Sequence, residues 1–308
     1  MPEIFSSLNK FPSQSKKKWI EKFLSEKPTN KIEEIQHKIN NNFFDPIYFN
    51  NEIKEKNTFL KNKGWRICSD IVVNKIKKAN TNALAAIFEG SDSICFDLNN
   101  KNISKNQLDD LLNNINFKKI NLEFKKCKNS KLILKYLCEK KEKKYIQGCI
   151  QDLNLNKKEY NQAKKILPNF KFSFIQIKSE KFKKNQIPDF LKPKHIQFNF
   201  LLSNDFMFEI SRIRAFRIWF SSEFKEAPFV SCETKTINKK FHSLIQSTIQ
   251  SFAAIIGGCD SLKIILEETT LGIKQQLILK HESLLEKVID PFFGSHYVEK
   301  ITCFFYLP

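Results

Sequence analysis

The sequence predicts an α/β fold, a (β/α)8 TIM-type barrel preceded by an N-terminal extended and helical arm. Three observations lead there. Eight short β-type runs recur from Gly64 onward. Helical patterns fill most of the gaps between them, and strands that alternate with helices form a parallel sheet. The 308 residues accommodate a barrel of about 250 residues and an arm.

Residues 1–60 read as the arm and 61–308 as the barrel. In "PSQSKKKWIEKFLSEKP" a short helix places Trp19, Ile20, Phe23 and Leu24 on one face, and Pro28 stops it. "NNNFFDPIYFNNE" adds turn chemistry at Asp45-Pro46 and more aromatic side chains. An aromatic arm without its own core must lie on its barrel or on a partner.

The eight runs are "WRICSDIVV", "DSICFDL", "KKINLEF", "YIQGCIQDL", "FKFSFIQIK", "HIQFNFLL", "PFVSC" and "SLKIIL". "SKNQLDDLLNNI" is the clearest helix: Ser104 and Gln107 form a capping box, and Leu108, Leu111, Leu112 and Ile115 follow at helical spacing. Further helical patterns are "SKLILKYLCEK", "NKKEYNQAKKIL", "NDFMFEISRIRAFRIWF", "NKKFHSLIQSTIQSFAAII" and "KQQLILKHESLL". The gap after the fifth run has the weakest pattern.

A strand of an ordinary parallel barrel is apolar on both faces. Here one face is apolar: Ile94, Phe96 and Leu98; Ile120, Leu122 and Phe124; Ile196, Phe198 and Phe200. The other carries Cys68 and Asp70, Cys95 and Asp97, Asn121 and Glu123, Gln147, Cys149 and Gln151, Gln197 and Asn199. Helices require the apolar face, so the polar face is expected in the lumen. There Asp70, Gln147, Gln151, Gln197 and Asn199 must pair with each other, with water or with a ligand. A register slipped by one residue is the alternative.

Net charge is +19, from 48 Lys and 4 Arg against 33 acidic residues. The lysines are spread along the chain, with no arginine-rich arm and no aromatics interleaved with basic residues, so stacking on nucleic acid is disfavoured. Lys, Asn, Ile and Phe share A/T-rich codons, and the bias reads as genome composition on a solvated surface. None of the eight cysteines forms a Cys-x-x-Cys pair, which points to buried thiols in a reducing compartment and away from zinc. The first residues carry no secretory pattern, and no apolar run approaches a membrane span. A cytoplasmic setting without membrane or nucleic-acid partners is expected.

"VIDPFFGSHYVEK" reads locally as a turn into a helix: Asp290-Pro291 turns the chain, Gly294 tolerates positive φ, Ser295 caps and Glu299 suits the first turn. Why these particular residues recur in this order is answered by a resemblance. "DFMFEISRIRAFRIWF", "FAAIIGGCDSL" and "QLILKHESLLEKVIDPFFGSHYVEKIT" resemble the methylmalonyl-CoA mutase family, in its order and at about its spacing. Glu209, Ile210, Arg212, Arg214, Ala215, Arg217 and Trp219 carry the first segment. Gly257, Gly258 and Asp260 carry the second. Gln276, Glu282, Ser283, Asp290, Pro291, Gly294, Ser295, Val298 and Glu299 carry the third. "GWRICSDI" and "ANTNALAAIFEGSDSICFDL" resemble the start of that barrel, and "FPSQSKKKWIEKF" is similar to the arm of the family's small subunits. All four arginines fall in resembling segments. Internal ion pairs, for example with Glu209 or a carboxylate on a neighbouring helix, are favoured over ligand contacts for those on the helix.

The resemblance implies adenosylcobalamin-dependent rearrangement of methylmalonyl-CoA to succinyl-CoA. It also implies a barrel lumen that carries the pantetheine tail, and a flavodoxin-like cobalamin domain with an Asp-x-His-x-x-Gly loop. This sequence departs from that pattern. The loop is absent, so no cobalamin-binding domain is expected. The Arg-Ile-Ala-Arg-Asn step before the position of Gln276 reads "TLGIK", and "VSCETKTINKK" and "GWRICSDIVVNKI" replace the catalytic and substrate-admitting motifs. The expectation is a small, non-catalytic subunit with no catalytic, cofactor or metal residues of its own. Adenosylcobalamin would be held by the partner, the mutase large subunit, which the arm would wrap. The alternatives are a stand-alone mutase barrel using a separate cobalamin-binding chain, a basic nucleic-acid-binding protein, and a decaying gene product.

Overall fold

The computed structural model describes residues 14–26, 31–39, 41–48, 64–151, 153–177, 182, 187, 189–235, 240–288 and 290–306. The Pro28 stop, residues 49–63 of the arm, most of the weak gap after the fifth run and residues 236–239 of "VSCETKTINKK" lie outside them.

A parallel sheet runs in the order β7-β6-β5-β4-β3-β11-β10-β9-β8. Its strands are β3 (Arg66–Val72), β4 (Ser93–Asp97), β5 (Asn121–Lys125), β6 (Gln147–Ile150), β7 (Phe170–Lys171), β8 (Ser173–Ile177), β9 (Ile196–Leu201), β10 (Phe229–Glu233) and β11 (Ser261–Lys263). The two ends of that order are one stretch of chain, separated only by Phe172. β7 pairs with β6 (Cys149↔Lys171), and β8 pairs with β9 (Gln176↔Asn199). The Phe172 N–H donates to the His195 carbonyl at 2.8 Å. The nine hydrogen-bonded pieces therefore fill eight strand positions, at the eight runs legible in the sequence, and the sheet curls into a barrel.

The helices are α1 (Lys16–Glu26) in the arm, then α2 (Ile76–Phe88), α3 (Lys105–Leu111), α4 (Ser130–Glu139), α5 (Lys157–Ile166), α6 (Phe206–Phe224), α7 (Lys240–Gly257), α8 (Thr269–His281) and α9 (His296–Tyr306). Ser104 and Gln107 form the expected capping box, and Asn156 and Glu159 form a second. Helices pack on the apolar strand faces. Ile94, Phe96, Leu122 and Phe124 meet Ala79, Ala83, Leu108 and Leu137 on one side of the barrel. Phe198, Phe200 and Val230 meet Ile213, Phe216, Phe220 and Ala254 on the other.

α6 is buried nearly all round. Its inner face lies on the barrel wall, while α9 covers its outer face through Ala215, Ile301 and Phe305. A helix so enclosed needs partners for its polar side chains on both sides.

The described arm includes the hairpin β1 (His37–Ile39) and β2 (Asn42–Phe44). It lies on its own barrel: Ile39 and Phe44 are buried in the cluster of Ala215, Ile301 and Phe305. His37 bridges Tyr297 Oη at 2.6 Å and Asp205 Oδ2 at 2.7 Å. α1 has no buried residue, and Trp19 stacks on Phe23 at 5.7 Å.

Candidate functional site: the family signature and the barrel lumen

The signature residues assemble around α6, outside the barrel. Arg214 is fully buried. Its Nη2 and Nη1 donate to the two carboxylate oxygens of Glu299 at 2.7 and 3.1 Å, its Nε to Asp290 at 2.9 Å, and Nη1 also to Thr302 Oγ1 at 3.3 Å. Burial alone would lower the guanidinium pKa, but these carboxylates raise it. Gly294, at φ 81°, aims its N–H at Glu299 Oε1 (3.2 Å), and Asp290 Oδ1 accepts from Phe292 N at 3.2 Å. The turn therefore delivers two carboxylates to one guanidinium. Ser295 sits immediately before α9, while Pro291, Glu282 and Ser283 are exposed.

Arg217 forks onto Asp260 at 3.0 and 3.1 Å and donates to the Pro228 carbonyl at 3.0 Å. Asp260 also accepts from the N–H of Val230 (2.8 Å), so the pair ties α6 to the start of β10 and β11. Arg212 pairs with Glu209 at 2.6 Å and donates to the Leu201 carbonyl at 3.1 Å, which fixes the end of β9. Gly257 lets α7 close on α6, since an added Cβ would stand 3.0 Å from Ile213 Cβ. Gly258, at φ 97°, turns the chain out of α7. Gln276 accepts from Trp65 Nε1 at 3.2 Å. The helix arginines hold protein carboxylates, and none of them points into the lumen.

The polar strand faces meet inside the barrel. Contacts between strands that are not neighbours establish this: Arg66 on β3 donates to Gln147 on β6, and Lys263 on β11 reaches Glu123 on β5. The expected polar lumen positions do not pair with one another. Gln147 pairs with Arg66, and Asn199 donates to Gln176 at 3.1 Å. Gln151 is half-buried just past β6. Gln197 is 1% exposed, and neither end of its amide has a hydrogen-bond partner among the described residues. Asp70 pairs with Lys125 at 2.7 Å.

Charge fills the middle. Lys263 is 1% exposed, with Nζ 3.6 Å from Glu123 and 3.7 Å from Glu233. The thiols of Cys68, Cys95 and Cys149 surround this level, and burial pushes all three upward, so they stay protonated. At the C-terminal mouth Lys126 pairs with Asp97 at 2.7 Å, and Lys125 lies between Asp70 and Asp97. A cavity of about 530 Å³ opens beside it, between the end of β3 and the segment 264–270. At the N-terminal mouth a cavity of about 520 Å³ is lined by Arg66, Asp92, Lys119, Lys171, Phe229 and Lys280, among others.

Sequence reasoning overlooked Lys171 and Lys263 as lumen residues. Both sit on the polar alternation of their runs, "FKFSFIQIK" and "SLKIIL", but neither stands out among 48 lysines.

None of the five histidines is placed as an axial ligand for a corrin. His37 is held by Tyr297 and Asp205, His195 by Tyr160 and the Pro168 carbonyl, and His296 by the Tyr48 carbonyl. His242 and His281 are exposed on helices. None lines the lumen, so the described residues do not fit that group. No group of three or more metal-ligating side chains occurs among the described residues. No helix among them is long and apolar enough to cross a membrane.

The family profile described as Methylmalonyl-CoA mutase matches residues 186–305, the stretch that holds all nineteen signature positions from Glu209 to Glu299. The resemblance read from the sequence holds over that stretch. The methylmalonyl-CoA mutase small subunit of Porphyromonas gingivalis is 28% identical over 131 residues, 35% of this chain and 21% of that protein. Methylmalonyl-CoA mutase of Rhizobium meliloti is 26% identical over 130 residues, 35% of this chain and 18% of that one. The 2-hydroxyisobutanoyl-CoA mutase large subunit of Aquincola tertiaricarbonis is 26% identical over 132 residues, 35% of this chain and 23% of that one. The match thus spans about a fifth of these relatives' own lengths. Among solved structures, dihydropteroate synthase from Stenotrophomonas maltophilia aligns over 71% of this chain and 93% of its own, at 8% identity and a TM-score of 0.44.

Proposed function

We propose that this chain is the small, non-catalytic subunit of a heterodimeric adenosylcobalamin-dependent methylmalonyl-CoA mutase. The large subunit carries the cobalamin and performs the isomerisation. One observation carries the reading: the lumen, where the resemblance puts a pantetheine chain, is crossed by this protein's own charges. Lys263 stands between Glu123 and Glu233 at 1% exposure. Threading an amide chain through that level would separate buried charges from their partners, a cost of several kcal/mol. The replacement of Arg-Ile-Ala-Arg-Asn by "TLGIK" points the same way, since it removes donors for an anionic acyl-CoA. The small-subunit relative supports the subunit assignment.

A partner is supported by the arm. α1 has no buried residue: Leu24 is exposed and Trp19 and Phe23 are only half-buried, a stripe suited to a second chain. Co-expression with a mutase large subunit, followed by size exclusion at micromolar concentration, tests the proposal. One peak holding both chains, with turnover of methylmalonyl-CoA that this chain alone lacks, is the expected outcome. Separate elution would remove the proposal.

A further inference from the structure

We propose that Lys171 is a reactive amine on the floor of an anion-binding pocket at the N-terminal mouth of the barrel, and that it forms imines with small aldehydes or ketones bearing a phosphate or carboxylate. The inference is independent of the subunit assignment.

Lys171 is unusual among the buried lysines. Lys263 has Glu123 and Glu233, and Lys125 has Asp70 and Asp97. Lys171 is 8% exposed, and no carboxylate pairs with it among the described residues. Its Nζ lies over the ring of Phe229, 3.8 Å from the centroid, and it lines the cavity of about 520 Å³. An ammonium so placed loses hydration without gaining an ion pair. Burial first, and the positive charge of Arg66 second, push its pKa down to about 8. About a tenth of the amine is therefore neutral at pH 7 and about half at pH 8, against about three parts in ten thousand for an ordinary lysine at pH 7. Desolvation beside a second cation is a recognised way to make lysine a nucleophile.

The rest of the pocket selects the electrophile. Arg66, Lys119 and Lys280 line it together with Lys171. Of its two carboxylates, Asp260 is committed to Arg217, and Asp92, whose carboxyl pKa burial raises, faces the positive charges of Lys280 and Arg66. The balance is cationic and favours an anion.

The chemistry closes without a redox partner. The Nζ lone pair forms a C–N bond to the carbonyl carbon. The C=O π pair moves to oxygen, which takes up a proton. The carbinolamine then releases water as the C=N bond forms, so amine plus carbonyl gives imine plus water.

The full chain is incubated with pyridoxal 5′-phosphate, reduced with borohydride and mapped by peptide mass spectrometry. Lys171 is expected to be labelled at least tenfold faster than any of the other 47 of the 48 lysines. The rate should rise with pH through a midpoint near 8, fall at least fivefold with 50 mM inorganic phosphate, and lose its preference when pyridoxal replaces the phosphate ester. Lys171→Arg should remove the fast phase while far-UV circular dichroism stays unchanged. Labelling spread over surface lysines with Lys171 unmodified in the folded chain would overturn the amine. Fast labelling of Lys171 that phosphate does not slow would overturn the anion pocket.

Discussion

Two sets of ion pairs in this protein are equally buried and differently built. Around α6, on the outside of the barrel wall, arginines meet carboxylates at 2.6–3.1 Å, and backbone N–H and carbonyl groups add further hydrogen bonds. Inside the lumen, Lys263 stands 3.6 and 3.7 Å from its carboxylates, while Glu123 Oε2, Ser261 Oγ and both ends of Gln197 have no hydrogen-bond partner among the described residues. The fork of a guanidinium fixes the direction of a carboxylate, and a point-like ammonium does not. The outer set is built as joints that hold α6, α9 and the strand ends in register. The inner set fills a space that strand geometry leaves open.

That contrast can be tested by breaking each set. The largest effect belongs to Arg214→Met, which leaves Glu299 and Asp290 buried without their cation. The urea midpoint should fall by the equivalent of about 3–5 kcal/mol at unchanged m-value. A loss below about 1 kcal/mol would mean that the outer pairs are no firmer than the inner ones.

Lys171 moves in the opposite direction. Its pKa is about 8 in the folded chain against an ordinary value of 10.5, so the unfolded chain holds this proton more tightly. Its cost to the native state is full below pH 8 and disappears as the pH rises toward 10.5. Lys171→Met should therefore stabilise the protein by up to about 3 kcal/mol at pH 7. The gain should shrink to nothing across that window, followed by denaturant midpoints at successive pH values.

In the lumen, Lys263→Met should destabilise by about 2 kcal/mol, because Glu123 is left buried alone. Adding Glu123→Leu should bring stability back to within about 1 kcal/mol of the parent, since a loosely made buried pair is replaceable by apolar groups. The matching pair outside, Arg214→Met with Glu299→Leu, should not recover, because Asp290 still lacks its partner. Equal recovery of both double variants would erase the distinction.

Near neutral pH the smallest effect is at His195, whose Nδ1 accepts from Tyr160 Oη at 2.8 Å. Burial first, and nearby lysines second, push its pKa down to about 4 from an ordinary 6.5, so the unfolded chain takes up the proton first. The stability of the neutral form is complete above pH 6.5 and is lost as pH falls toward 4. His195→Gln should make the acid limb of a stability–pH curve shallower over that interval.

Much of this fold was legible in one dimension. The eight runs from "WRICSDIVV" to "SLKIIL" are the eight strand positions, and the apolar series Ile94–Phe96, Leu122–Phe124 and Phe198–Phe200 face the helices. Alternation is a local property: a strand exposes every second side chain to the same side whatever surrounds it. The family resemblance was legible for a similar reason, because its turn and helix residues lie close together in sequence. Ion pairing of Arg214 and Arg217 was expected, with Glu209 or a carboxylate on a neighbouring helix as the partner. Among the arginines Glu209 pairs with Arg212, while Arg214 and Arg217 reach Asp290, Glu299 and Asp260.

By itself, then, the sequence determined the periodicity, the barrel class and the polar face of each strand, because these follow from neighbours along the chain. Only the tertiary structure decided which polar groups meet. Lys263 reaches Glu123 across 140 positions of sequence, and Gln197 finds no partner among the described residues, because curvature of the closed sheet sets distances that no local pattern encodes. The low polarity of the interior then turned one lysine among 48 into the candidate nucleophile.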